Sequence, residues 1–389
     1  MPHFFARLEA GEPVTIAYLG GSITDTDDGW RSLTLRWFRE RYPKARIKGI
    51  NAALPGTGSD FAVFRLEREV LRHKPDLVFV EFAVNDGVAN PRTRAAMEGI
   101  VRKTRRASPT TDLCFVYTIA ESHLPDRARS GRTATVAAME AVADHYRLPT
   151  VDFGEAVARQ VSAKTLTFTG PRTVQGTVFS ADGTHPYLDT GHVLYRDALV
   201  RSIPLLRAAS IASGAGPWSL GTPLDPDNWE NARLAPIPAD SGLLPVIPAD
   251  LPNPLFIARY APLLPRLGKA DLSGSSSGFT FRFRGTGFGF YSLKGPDIGP
   301  FVVTVDDAPP LLVNLFDRHS TARRYRIRPW LYPQPLPPGE HLVRVTRSLE
   351  PFDKVAQLRT WGILVENPAE YAGAVLYLSD LLILGELLP

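Results

Sequence analysis

At 389 residues the chain is too long for one ordinary domain, and 44% apolar residues suit a globular protein with a substantial core. The formal charge of +4 is spread over 44 basic and 40 acidic residues, which argues against nucleic-acid partners. The single cysteine, Cys114, excludes an intrachain disulfide, and no stretch reaches the apolar length of a membrane span.

In chain order, Met1-Pro2-His3-Phe4-Phe5-Ala6-Arg7 lacks a long apolar segment with a cleavage site, so the expectation is a cytoplasmic protein, although a chain whose leader had been removed would read the same. Residues 14–19 predict a buried strand. Residues 30–42 carry Trp30, Leu33, Trp37, Phe38 and Tyr42 at helical spacing. A short strand is expected over 46–51. A helix follows, with Ser59 or Asp60 as its N-cap. Residues 77–84, apolar almost throughout, read as a central parallel strand. The alternation continues with a helix at 92–106, a strand at 113–119, a helix at 132–146, a strand at 149–153 and a closing helix at 188–208. The basic run Arg102, Lys103, Arg105 and Arg106 reads as a solvated helix face, and Cys114, within Leu113-Cys114-Phe115-Val116-Tyr117, as a small buried hydrophobe. Such alternation over about 200 residues predicts an open parallel sheet with helices on both faces.

The character changes after Ser213. Residues 214–265 are dense in proline and glycine and read as a linker with irregular wrapping segments. Beyond them the pattern is β: Phe279 to Arg284 alternates strictly, Phe301 to Val305 precedes a turn at Asp306-Asp307, His341 to Val345 follows Pro338-Gly339, and Leu376 to Leu384 makes a final strand. Strands at this spacing predict a sandwich or jelly roll. The division expected is 1–212, 213–265 and 266–389.

Four short motifs follow hydrophobic, strand-like runs: Gly20-Gly21-Ser22-Ile23-Thr24, Gly56-Thr57-Gly58-Ser59, Asn85-Asp86-Gly87 and Asp182-Gly183-Thr184-His185. Ser22 follows the first strand, at the end of the sheet where open α/β sheets bind ligands. Alone it would more often be a helix cap. Thr24 stands where the nucleophile elbow of α/β-hydrolases has its last glycine. The N–H of Gly56 suits an oxyanion, with Gly58 a weaker candidate, yet either alone would be an ordinary turn glycine. The Asn85 amide can donate to an oxyanion, with an Asx-turn as the even alternative. The neighbouring Asp86 reads as ordering its loop. Asp182 and His185, three residues apart before a helix, suit a carboxylate that orients an imidazole. His192 reads as structural. Asp25, Asp27 and Asp28 read as a solvated loop rather than a cation site, no metal-ligand spacing occurs, and Gly285-Thr286-Gly287-Phe288-Gly289 lies in a β pattern and is no nucleotide loop.

The ordered set over residues 12–205 resembles the SGNH/GDSL hydrolase superfamily, whose blocks supply Ser, Gly, Asn and His in that order. Here these are Ser22, Gly56, Asn85 and His185, with Asp182 at the D-x-x-H position, and the first block reads Gly-Gly-Ser-Ile rather than Gly-Asp-Ser-Leu. The resemblance implies a flavodoxin-like three-layer α/β/α domain with about five parallel strands. It also implies cofactor-free, metal-free ester hydrolysis through an acyl-serine. Ser22 would be the nucleophile, His185 the base and then acid, and Asp182 its orienter. The backbone N–H groups of Ser22 and Gly56 and the Asn85 side chain would form the oxyanion hole. The β region is similar to the jelly-roll domains that accompany some carbohydrate acetylesterases, although in the best-known such family that domain comes first.

The leading expectation is therefore a serine esterase removing acetyl groups from a small-molecule or oligosaccharide ester. A lipid or thioester hydrolase and an acyltransferase would use the same residues, and a non-catalytic sugar-binding protein is the reading from another class. Trp330, Tyr332 and Trp361 are candidates to stack on sugars, with core packing the commoner fate of each. Self-association is left open.

Overall fold

The computed structural model describes every residue except 88–89, 173–176, 215, 252–258, 274–277 and 322–323, so parts of the stretch expected as a linker lie outside the described residues. The chain divides into two compact units, Met1–Glu230 and Asn231–Pro389.

The first unit begins with a helix that the sequence reading did not identify, α1 (Pro2–Glu9), whose Phe4, Phe5 and Leu8 are buried. Then come β1 (Val14–Gly20), the single-turn α2 (Ser22–Asp25), α3 (Trp30–Arg41), β2 (Ile47–Asn51), α4 (Ser59–Glu69), β3 (Leu77–Glu81), α5 (Thr93–Ala107), β4 (Asp112–Tyr117), α6 (Leu124–Ser130), α7 (Ala134–Tyr146) and β5 (Thr150–Asp152). Helix α8 (Phe153–Ser162) starts directly at the end of β5, capped by Asp152, which accepts the N–H groups of Gly154 and Glu155. A small parallel pair, β6 (Thr167–Thr169) and β7 (Val178–Ser180), precedes α9 (Gly191–Ser213). The five-stranded sheet is parallel, in the order β2-β1-β3-β4-β5. This is the doubly wound order whose switch point, where successive connections leave in opposite directions, lies between β1 and β3. The core has an aromatic centre: Trp30 is fully buried, its ring 5.5 Å from Tyr18, 6.0 Å from Phe79 and 5.1 Å from Phe153.

Three expectations need correction. The strand predicted over 77–84 ends at Glu81, because the chain turns at once, with Asp86 N–H bonding Phe82 O. Helix α4 is capped by Gly58, and Ser59 is already helical, its N–H and hydroxyl both taken by Asp86. The basic run is solvated only at Arg106. Arg102, Lys103 and Arg105 are buried, because the chain after α9 lies across this face of α5 and supplies acceptors: Arg102 pairs with Glu230, and Arg105 donates to Ser219 O. Lys103 donates to Val63 O on α4. Cys114 is buried as expected, and burial pushes its thiol up to about 12.

The second unit is one antiparallel sheet built around two long strands, β11 (Gly278–Lys294) and β16 (Val375–Leu388). The others are β8 (Ala232–Ala235), β9 (Leu244–Pro245), β10 (Gly268–Asp271), β12 (Phe301–Val305), β13 (Leu311–Val313), β14 (Arg326–Leu331) and β15 (Gly339–Arg347). The first half of β11 pairs with β15 and its second half with β14, while β16 runs along both halves with a register slip between Gly285 and Gly287. A bulge at such a point lets one strand pass between the layers of a β sandwich. Tyr332 is buried against Phe288, Trp330 stacks on Phe290, and Trp361 is the more exposed of the three candidate aromatics.

Candidate active site

The parallel pairing carries three of the motifs to the same end of the sheet. Gly20 ends β1 opposite Glu81 of β3, and the chain beyond β2 continues alongside β1, with Leu54 N–H bonding Gly20 O. Ser22, Gly56 and Asn85 thus follow the carboxyl ends of three adjacent strands, at the switch point. Gly56 has φ +70°, a left-handed conformation that favours glycine.

The fourth motif comes from the loop between β7 and α9. Buried Ser180 fixes this loop, its one O–H lying between two acceptors, His185 O at 2.8 Å and Asp182 Oδ1 at 3.0 Å. Asp182 Oδ1 also accepts the N–H groups of Thr184 and His185, at 2.9 and 2.8 Å. The loop is tied to the chain between β4 and α6 by Glu121 N–H on Gly183 O. Its geometry directs the His185 ring at Ser22: Ser22 Oγ lies 2.8 Å from His185 Nε2, and His185 Nδ1 lies 2.7 Å from Asp182 Oδ2. The carboxylate accepts from Nδ1–H, which leaves Nε2 as the acceptor of the serine proton. Burial pushes the Asp182 carboxyl up, but the bonds from the His185 ring and the two backbone N–H groups outweigh it and hold the group well below the usual range.

Asn85 lies against the Ser22 turn. A Cβ on Gly21 would sit 1.9 Å from Asn85 Oδ1 and 2.7 Å from Nδ2. Asn85 Oδ1 has no hydrogen-bond partner among the described residues, so the side chain makes no Asx-turn. The sequence reading missed Glu81, the one charged residue of β3, which is fully buried behind the turn and accepts from Thr24 Oγ1 at 2.8 Å. A lone carboxylate in an otherwise apolar central strand was the available signal. Asp86 orders its loop by holding Ser59, and burial, opposed by those bonds, pushes its carboxyl up to about 7.

His192 is a structural residue: it is 1% exposed and accepts Trp30 N–H on Nδ1, and burial together with nearby His185 lowers it to about 4. The aspartates after Ser22 do not form one solvated loop, because Asp25 is buried and accepts from Asn51 Nδ2 at 3.0 Å, while Asp27 is exposed and pairs with Arg31. Among the described residues, no helix is long and apolar enough to cross a membrane.

No curated protein matches the sequence significantly. Among solved structures, the chain is similar to a two-domain esterase (CEX) active on acetylated mannans. In its co-crystal with mannopentaose the TM-score is 0.71 at 20% identity, over 97% of this chain and 92% of that one. Another structure of that esterase gives 0.68 at 20% identity, over 97% and 93%. This likeness, at such low identity, is one of fold, and it spans both units. An acetylxylan esterase from Geobacillus stearothermophilus aligns with 49% of this chain and 94% of its own, with a TM-score of 0.40 at 18% identity. Residues 18–186, which hold Ser22, Gly56, Asn85, Asp182 and His185, match the model of the GDSL-like lipase/acylhydrolase family, and the first unit is accordingly an SGNH/GDSL-type hydrolase domain.

Proposed function

We propose that the protein is a serine esterase that releases acetyl groups from O-acetylated carbohydrate. The observation that carries this reading is the hydrogen-bonded chain Ser22–His185–Asp182, at 2.8 and 2.7 Å. Ser22 Oγ attacks the acetyl carbonyl while His185 Nε2 takes its proton, and Asp182 stabilises the imidazolium. The carbonyl oxygen becomes an oxyanion that accepts from the N–H groups of Ser22 and Gly56 and from Asn85 Nδ2. His185 returns the proton to the departing sugar oxygen, leaving acetyl-Ser22. Water then attacks with His185 again as base, and the oxyanion collapses to release acetate and restore the serine.

The openness of the site supports a bulky alcohol portion. The His185 and Asp182 side chains are 50% and 53% exposed, and Gly56 is exposed too, so a polysaccharide chain can reach the nucleophile with only its acetyl group inserted. The two-domain esterase of similar fold is active on acetylated mannans, which makes acetylated mannan fragments the first substrates to try.

The test compares acetylated oligosaccharides with p-nitrophenyl acetate through octanoate, in the wild type and in Ser22→Ala. Acetate release that is fastest on the sugars and falls by about 10⁶ in kcat in Ser22→Ala, at an unchanged melting temperature, is expected. Preference for long chains would move the assignment to lipids, and turnover that survives the substitution would remove Ser22 from its role.

A further inference from the structure

The Ser22 turn rests on a buried carboxylate that the mechanism above does not use. Glu81 is the last residue of β3, paired in register with Gly20, and it is 0% exposed. Its Oε2 accepts from Thr24 Oγ1 at 2.8 Å and its Oε1 from Thr118 Oγ1, just past β4, at 2.5 Å. The backbone N–H of Gly21 lies nearby and favours the charged carboxylate. Thr24 is held from its other side by Trp30 Nε1, at 3.2 Å. The carboxylate therefore grips Thr24, two residues past Ser22, and ties it to Thr118 beyond the neighbouring strand.

An apolar side chain would fill this place at less cost, because burying a carboxylate without a paired cation is expensive unless hydrogen bonds satisfy it. Burial does push the Glu81 carboxyl up, while the bonds from Thr118 and Thr24 and the nearby Gly21 N–H work against that. What the carboxylate supplies, and a leucine cannot, is direction. It fixes the Thr24 side chain while the pairing of Gly20 with Glu81 fixes the other side of the turn, so the Ser22 N–H between them is set by a backbone that cannot rotate freely. Asn85 lies only four residues beyond Glu81, against the same turn.

We infer that Glu81 is a positioning residue, one that fixes the Ser22 turn so that the serine hydroxyl meets His185 while the Ser22 N–H faces the oxyanion. The inference rests on the esterase reading for its catalytic consequence, but its structural half needs no substrate. Two variants are compared. Glu81→Leu keeps the bulk and removes every acceptor. Glu81→Gln keeps one acceptor oxygen and is the safer variant for folding.

Hydrogen exchange of the Gly21 to Thr24 amides is measured first. Faster exchange confined to that segment is expected in Glu81→Leu, or in Glu81→Gln alone should the leucine variant not fold. Unchanged exchange would overturn the inference whether or not the protein proves to be an esterase. On p-nitrophenyl acetate, kcat is expected to fall by about 10²-fold in Glu81→Leu with KM held, the scale of a small misplacement of reacting groups. A smaller fall of about tenfold is expected in Glu81→Gln. Reaction of Ser22 with a p-nitrophenyl phosphonate, which needs the nucleophile and the oxyanion donors together, should slow in the same order. Wild-type kcat in both variants, or an effect on KM alone, would overturn the positioning role.

Discussion

The space that a methyl group on Gly21 would occupy is filled by the Asn85 carboxamide, with Oδ1 at 1.9 Å. This close approach leaves no room for a side chain at Gly21: any group there would push the amide away from the Ser22 turn. Gly21→Ala is therefore expected to act through Asn85, and to cost as much kcat as Asn85→Ala, about 10²–10³-fold for the loss of one oxyanion donor. Kinetics of both single variants and the double variant check this. The double should be little worse than either single, and additive losses would show that the two residues act separately. At this scale the sequence was most informative in the short motifs that come after strand-like runs, those holding Ser22, Asn85 and His185. Glu81 was hidden because its partners, Thr24 and Thr118, lie 57 and 37 residues away and meet it only once β1, β3 and β4 are side by side.

At the scale of elements, β3 and the turn after it support both neighbouring motifs. Asp86 reaches from that turn to the start of α4, where Oδ1 accepts Ser59 N–H at 2.7 Å and Oδ2 accepts the Ser59 hydroxyl at 2.5 Å. The helix start, and with it the Gly56 turn just before, is capped from another element. This is why Ser59, which has the right chemistry for an N-cap, is not one. Burial raises the Asp86 carboxyl from 3.8 in the unfolded chain to about 7 in the fold, so over that window the native state binds the extra proton. Stability from this group is then complete below about pH 4 and is lost as the pH rises through about 7. Asp86→Asn keeps the shape and an acceptor for Ser59 N–H but cannot titrate. Urea melts from pH 4 to 8 should show the wild type losing stability relative to Asp86→Asn as the pH rises. A constant difference between the two proteins would mean that Asp86 titrates normally.

At the scale of the whole molecule, the question is where the first folded unit ends. The strand–helix alternation made the parallel sheet legible, and the alternating β pattern did the same for the second unit. The chain between them carried no periodic signal, and it is held by single long-range contacts. Trp218 Nε1 donates to Asp112 at 3.0 Å, and Trp229 N–H bonds Ala95 O at 3.0 Å. The N–H groups of Leu224 and Asp225 both bond Glu98, a fully buried residue of α5 that also accepts from Tyr146. Arg105 donates to Ser219 O and lies 5.3 Å from the Trp218 ring, and Arg102 pairs with Glu230 at 2.7 Å. These partners lie more than 100 residues from α5, so the helix looks solvated until the later segment covers it. We propose that residues 213–230 are integral to the hydrolase unit. A fragment of residues 1–212 would leave Glu98, Arg102 and Arg105 without these partners and would open to water the face of α5 that Trp218 and Trp229 pack against. A fragment of residues 1–230 keeps them, along with every proposed catalytic residue. It is expected to unfold cooperatively in urea and to turn over p-nitrophenyl acetate at close to the full-length rate, whereas 1–212 melts at markedly lower denaturant. Equal stability of the two fragments would place the end of the unit at α9. Loss of small-ester turnover by a folded 1–230 fragment would assign part of the site to the β unit.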